Sequence, residues 1–295
     1  MRFCSVAALG ALAVSAILVQ PAAAASAPDG TAYHLYRPGV PAQPAASPPG
    51  AKTMLYYGGP VISTVKVAVV LWGPTVPKSI TSRLTPYFKA MVNSTYIDQL
   101  AQYATNITGV NGHMGTNQTI GRGSFRGKFK ITPANMSTNL TDGDVQTELK
   151  AQIAAGKLPP ADLNTLYMIY FPANITISLG SLKSCQAFGA YHEAVSSTVT
   201  PANIFYGIMP DCGGGFTTAT VVSSHEFAEA ITDAIPTPGS HPAYPQAWNS
   251  SNGSEIGDLC EGRDTTLSAA GQVYQVQEIF TNSTNACATG KFTSP

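Results

Sequence analysis

The chain has 295 residues, and its 16 Lys and Arg offset its 16 Asp and Glu, so the formal net charge is zero. That balance offers no basic surface to a polyanion, which excludes nucleic-acid binding as a reading. With 44% hydrophobic and 11% charged residues, the composition supplies a full apolar core and rules out a disordered or coiled-coil chain.

Residues 1–25 have the order of a secretory signal peptide: Arg2, an apolar stretch from Ser5 to Val19, and Ala23-Ala24-Ala25 as a small-residue cleavage pattern. This apolar core is short for a membrane span, and no later stretch reaches the roughly 20 apolar residues that one needs. The expectation is an exported protein, extracellular, periplasmic or in the cell wall, without a stable membrane anchor. Residues 26–52 are rich in Pro and Ala and are expected to form an extended linker. Residues 53–295 are expected to form a single globular α/β domain.

Loss of the leader removes Cys4 and leaves Cys185, Cys212, Cys260 and Cys287. In an oxidising compartment an even set predicts two disulfides, and nearness in sequence favours Cys185–Cys212 and Cys260–Cys287. A four-cysteine zinc site would use C-x-x-C spacing, which is absent.

The β-branched run Val65–Trp72 predicts a buried strand ended by Gly73-Pro74. Ile80, Leu84, Tyr87, Phe88 and Met91 predict a helix over 79–93, and a second short helix is expected over 96–103. Val145, Leu149 and Ile153 mark a helix over 142–155 that stops at Gly156. Strands are expected at 165–171, 187–192 and 203–209, and a helix at 217–233 after Gly213-Gly214-Gly215. The order predicts a mixed β-sheet packed against helices, followed by a loop-rich part braced by disulfides.

The sharpest local signal is His225-Glu226-Phe227-Ala228-Glu229. Four residues apart on a helix, His225 and Glu229 share one face. Glu226 stands where zinc peptidases of the H-E-x-x-H type hold a base over the metal-bound water, so the helix resembles a zincin active helix with Glu229 replacing the second histidine. A third ligand is needed, and Glu255-Ile256-Gly257-Asp258 offers Glu255. In thermolysin-like enzymes the downstream glutamate is followed by an aspartate that accepts the ligand histidine's other N–H, which assigns that role to Asp258. His225, Glu229 and Glu255 are thus the metal-ligand candidates and Glu226 the general base, with His241, Tyr244 and Tyr191-His192 as candidate oxyanion donors. The cofactor is a divalent ion, zinc first and calcium as the hard-ligand alternative. The competing reading is an amphipathic helix whose acidic residues are merely exposed.

Several stretches together resemble the Exordium or phosphate-induced protein family of secreted plant proteins and their microbial relatives. They are Tyr56-Tyr57-Gly58-Gly59-Pro60 leading into the first strand, the 96–103 segment, Cys185 with Tyr191-His192, the 225–233 helix, Trp248, Glu255–Cys260, and Tyr274-Gln275-Val276-Gln277. The resemblance implies an extracellular or cell-wall location and brings no established activity. The sequence departs from the usual microbial form at Ala234, where proline is expected, and in a longer insert over 236–245.

Two functional readings follow. One is a secreted metallohydrolase of peptidase type that acts on a peptide through metal-activated water. The other is a non-catalytic extracellular protein with a structural ion, or a carbohydrate or cell-wall polymer binder using Trp248 and neighbouring tyrosines.

Overall fold

The computed structural model describes residues 25–26, 32–33, 36, 53–196, 203–236 and 242–295. The expected leader, most of the 26–52 stretch and His241 lie outside the described residues.

The core is a five-stranded sheet built from β1 (Thr64–Trp72), β2 (Gly121–Ile131), β3 (Thr165–Tyr170), β4 (Tyr191–Ser196) and β5 (Asn203–Met209). Their spatial order is β4-β5-β3-β1-β2, and all neighbours are parallel except β4, which runs antiparallel to β5. The α/β fold with a mixed sheet is therefore as expected. Central β1 is buried on both faces, as its Val-rich run requires. Val67, Val69 and Leu71 point to one face, where they meet α1 (Lys78–Met91) and α4 (Gly215–Thr232); Ala68, Val70 and Trp72 point to the other, covered by α3 (Asp142–Ala154).

The helices start and stop where local chemistry places them. In α3, Thr141 and Asp144 form a capping box, with Asp144 N–H donating to Thr141 Oγ1 at 3.2 Å and Thr141 N–H donating to Asp144 Oδ2 at 2.8 Å. The second short helix is split into α2 (Thr95–Leu100) and a 3₁₀ turn at Ala101–Tyr103. Two strand expectations need correction. Strand β4 begins at Tyr191 rather than Ala187, because 184–190 is occupied by a turn in which Cys185 takes a positive φ of 62°. Strand β2 was not expected at all: Gly121, Gly123, Phe125, Gly127 and Phe129 alternate with exposed Arg122, Ser124, Arg126, Lys128 and Lys130, the pattern of a charged sheet edge.

The C-terminal part packs a hairpin, β6 (Asp264–Ala269) with β7 (Gln272–Gln277), against the outer side of α4. Both expected disulfides are present, Cys185–Cys212 and Cys260–Cys287, each spanning 27 residues. The first ties the turn before β4 to the loop after β5. The second ties a 3₁₀ turn at Asp258–Cys260 to a short strand at Ala286–Cys287.

Candidate metal centre

Three successive glycines with positive φ, Gly213 to Gly215, turn the chain from β5 into α4. The helix then lies between the sheet and the β6–β7 hairpin, and its residues from Thr220 to Thr232 are all buried. The reading of α4 as an amphipathic helix with exposed acids is thereby overturned: Glu226 is 0% and Glu229 1% exposed.

Four elements converge on this part of the helix. Strand β4 brings His192, the 250–258 loop brings Glu255 and Asp258, β7 brings Gln277, and α4 itself supplies His225, Glu226 and Glu229. His225 Nε2 lies 3.1 Å from Glu229 Oε2 and 3.9 Å from Asp258 Oδ1. It is buried and aligned for a hydrogen bond with no group. His192 Nδ1 lies 3.2 Å from Glu226 Oε2 and 3.9 Å from Glu229 Oε2, and its Nε2 lies 3.6 Å from Glu255 Oε1 and 3.2 Å from the Asp233 carbonyl. The donors form two triplets, His225 with Glu229 and Asp258, and His192 with Glu229 and Glu255, each within 4.8 Å of one another. Buried His and Glu groups with the part-exposed Asp258 at these spacings are able to hold a metal ion.

This arrangement redistributes the expected roles. Glu255 sits beside His192, a residue the sequence offered only as a donor, while Asp258 approaches the same His225 nitrogen as Glu229. The other nitrogen of His225 does not face Asp258. It faces the Gln277 amide, with Nε2 at 2.9 Å and Oε1 at 3.2 Å, and that amide is held by a bond from its Nε2 to the Gly257 carbonyl at 2.8 Å. When His225 Nδ1–H donates to Oε1, its Nε2 lone pair is presented to Glu229 and Asp258. Asp258 instead accepts from the Glu255 N–H at 2.9 Å, which folds the loop.

Gly257 is where the loop passes closest to the helix. A Cβ there would stand 2.7 Å from both Glu229 Oε1 and His225 Nδ1. The N–H groups of Gly257 and Asp258 donate to Glu229 Oε1 at 3.1 and 3.0 Å, which pins that oxygen and turns Oε2 toward the histidines.

The electrostatics are those of acids crowded out of water. Burial, together with Glu229, Asp233, Asp258 and Glu226, pushes Glu255 well above the usual carboxylate range. Burial also raises Glu229, against the opposing pull of His225. Burial disfavours charge on His225, yet the Glu229, Glu226 and Asp258 carboxylates outweigh it and raise that imidazole well above its ordinary value. The field that draws a proton onto His225 is one that would equally draw a metal cation.

The remaining candidates fall elsewhere. Tyr191 points to the opposite face of the sheet, where its hydroxyl donates to Asp142 at 2.7 Å. Tyr244 stacks on His113 with ring centroids 4.1 Å apart. Trp248 is buried between Tyr56 and Tyr103, so it presents no sugar-stacking face to solvent. Tyr36, which the sequence did not single out, is seated by paired backbone bonds to Ala190 and Gly189, and its ring edge meets His225 with centroids 5.1 Å apart. Burial and the charges of Glu261, Asp264 and Glu226 push its hydroxyl up to about 12. Tyr36 also lines an apolar cavity with Val76, Ile80, Tyr170, Met209 and Val222.

No family model, curated protein or solved structure matches the chain. No helix among the described residues is long and apolar enough to cross a membrane.

Proposed function

We propose that this is a secreted metal-dependent hydrolase of peptidase type, with a divalent ion held by His225, Glu229 and Asp258. The observation that carries the reading is His225 Nε2, buried, without an aligned hydrogen bond, and 3.1 Å from Glu229 Oε2. Imidazole in the donor set favours a transition ion, zinc first, over calcium, whose sites are built from oxygen. The two disulfides and the leader-like residues 1–25 support export. The Exordium resemblance supports an extracellular setting.

A bound ion would lower the pKa of water and polarise a carbonyl. Glu226 belongs to neither ligand triplet and is not in solvent; it pairs with His192 at 3.2 Å. That leaves it to handle the proton. Glu226 takes the proton of the attacking water, the water oxygen adds to the carbonyl carbon, the C–N bond breaks, and the same proton passes to the departing amine. His192 orients Glu226 and shares its charge.

A second reading, a structural ion, is favoured by closure: His192, His225, Glu226, Glu229 and Glu255 are each 2% exposed or less, as in structural metal sites. Peptide hydrolysis by wild type and Glu226→Gln, with metal content measured on both, separates the two. The hydrolase reading expects Glu226→Gln to retain the ion and lose roughly 10²–10⁴-fold in rate. Equal rates in both proteins, or an ion retained with no hydrolysis in the wild type, would sink it.

A further inference from the structure

We propose that the cluster is built for two divalent ions bridged by the Glu229 carboxylate, one in the His225–Glu229–Asp258 triplet and one in the His192–Glu229–Glu255 triplet. This rests on the reading of the cluster as a metal site and adds a second ion to it.

The geometry of Glu229 is the first support. Its Oε1 is committed to the Gly257 and Asp258 N–H groups, so Oε2 is left as the inward oxygen, and both histidines approach that atom, His225 at 3.1 Å and His192 at 3.9 Å. Ligands held at about 2.0–2.2 Å from an ion in octahedral or tetrahedral geometry stand roughly 2.8–3.6 Å from one another. In the first triplet the 3.1 Å His225–Glu229 edge already fits and the 3.9 Å His225–Asp258 edge needs a contraction of a few tenths of an ångström. In the second, His192 turns Nε2 to Glu255 at 3.6 Å and Nδ1 to Glu229 at 3.9 Å, so its ring would have to turn to bring one nitrogen to both carboxylates. Two ions sharing one carboxylate are commonly about 3.5–4 Å apart in hydrolytic centres.

The second support is that neither triplet suffices alone. An ion only at His192 and Glu255 would leave the buried His225 Nε2 without an aligned hydrogen bond, 3.1 Å from Glu229 Oε2. An ion only at His225 and Asp258 would leave the buried Glu255, 3.6 Å from His192 Nε2, among the carboxylates of Glu226, Glu229 and Asp233. Two divalent ions match the charge that the carboxylates of Glu226, Glu229, Glu255 and Asp258 carry when ionised. In such a pair Glu226, bonded to His192, also holds the second ion's imidazole in place.

The test uses the full secreted chain, stripped by chelator and reloaded with Mn²⁺. Metal analysis is expected to saturate at about two ions per chain, and low-temperature electron paramagnetic resonance to show an exchange-coupled pair. His192→Ala and His225→Ala are each expected to fall to one ion with an uncoupled six-line spectrum, and Glu229→Gln to lose the coupling. Saturation of the wild type at one ion, without coupling, overturns the pair while leaving the single-ion reading intact. No bound ion overturns both. The wild-type stoichiometry and spectrum decide the matter even where a variant fails to fold.

Discussion

Tyr191 and His192 are neighbours on β4, and strand geometry sends them to opposite faces of the sheet into two buried polar clusters of different kinds. On the α3 face a single carboxylate, Asp142, receives the Tyr191 hydroxyl at 2.7 Å, the Tyr206 hydroxyl at 2.9 Å and the Gln146 amide at 2.7 Å. On the α4 face carboxylates face one another and two imidazoles. Burying a polar group is unfavourable unless its partners are buried with it. The first cluster solves that problem with neutral donors and is a structural tie between helix and sheet. The second sets acid against acid, an arrangement that a cation resolves.

If that contrast is right, removing divalent ions should act on one cluster alone. At free ion a thousandfold above its dissociation constant, chelation is expected to cost about 4 kcal/mol, or roughly 8–16 °C in melting temperature for a domain of this size. The same loss should be seen in Asp142→Asn and be smaller in Glu229→Gln. A melting temperature indifferent to chelator in the wild type would erase the distinction between the clusters.

The disulfides sharpen the comparison, because they close loops of equal length at different distances in sequence from the acids. By chain entropy each should contribute about 3.5 kcal/mol for its 27-residue separation. Replacing Cys260 and Cys287 by Ser frees the turn that carries Glu255 and Asp258, and should weaken ion binding as well as stability. Replacing Cys185 and Cys212 should lower stability to a similar degree and leave the ion count unchanged. Titration with a metal-sensitive dye on both double variants checks this; equal loss of ion from both would mean the 255–258 turn is held by other contacts.

Much of the scaffold could be read in advance because its signals are local. The Val65–Trp72 run, the 142–155 periodicity and the 203–209 strand each lie within a residue of their structural bounds, since apolar period and stop residues act within one element. The disulfide pairing was equally legible. Strand β2 was not, because three glycines weaken its alternation of inner and exposed residues and its edge position is created only by tertiary structure. At the site, His225, Glu226, Glu229, Glu255 and Asp258 stood out by spacing and do converge. Their division into two triplets was hidden, because it depends on which face β4 turns toward the helix and on how the 250–258 loop sets Glu255 and Asp258 apart. Gln277 was quoted only as part of a resemblance, and nothing local marks a strand glutamine as the partner of a histidine 52 positions away.

The smallest expected effect lies on the other side of the sheet and runs with pH. Burial raises the Asp142 carboxyl above its ordinary value, against the lowering effect of Tyr191, Tyr206 and Gln146. A raised acid binds its proton more tightly folded than unfolded, so its contribution to stability is greatest at low pH. That contribution declines as pH rises from the unfolded value near 3.8 through the folded one. Asp142→Asn keeps the size of the group, removes the titration, and replaces one acceptor oxygen by an NH₂ set among the Tyr191, Tyr206 and Gln146 donors, a loss of about 1 kcal/mol. Denaturant midpoints of chelated wild type and Asp142→Asn from pH 3 to pH 7 should therefore show the wild type's advantage shrinking as pH rises. An advantage that grew with pH would mean that the ionised carboxylate is better held in the folded chain than in water. Asp142 would then belong with the charge-demanding acids of α4 rather than stand as their contrast.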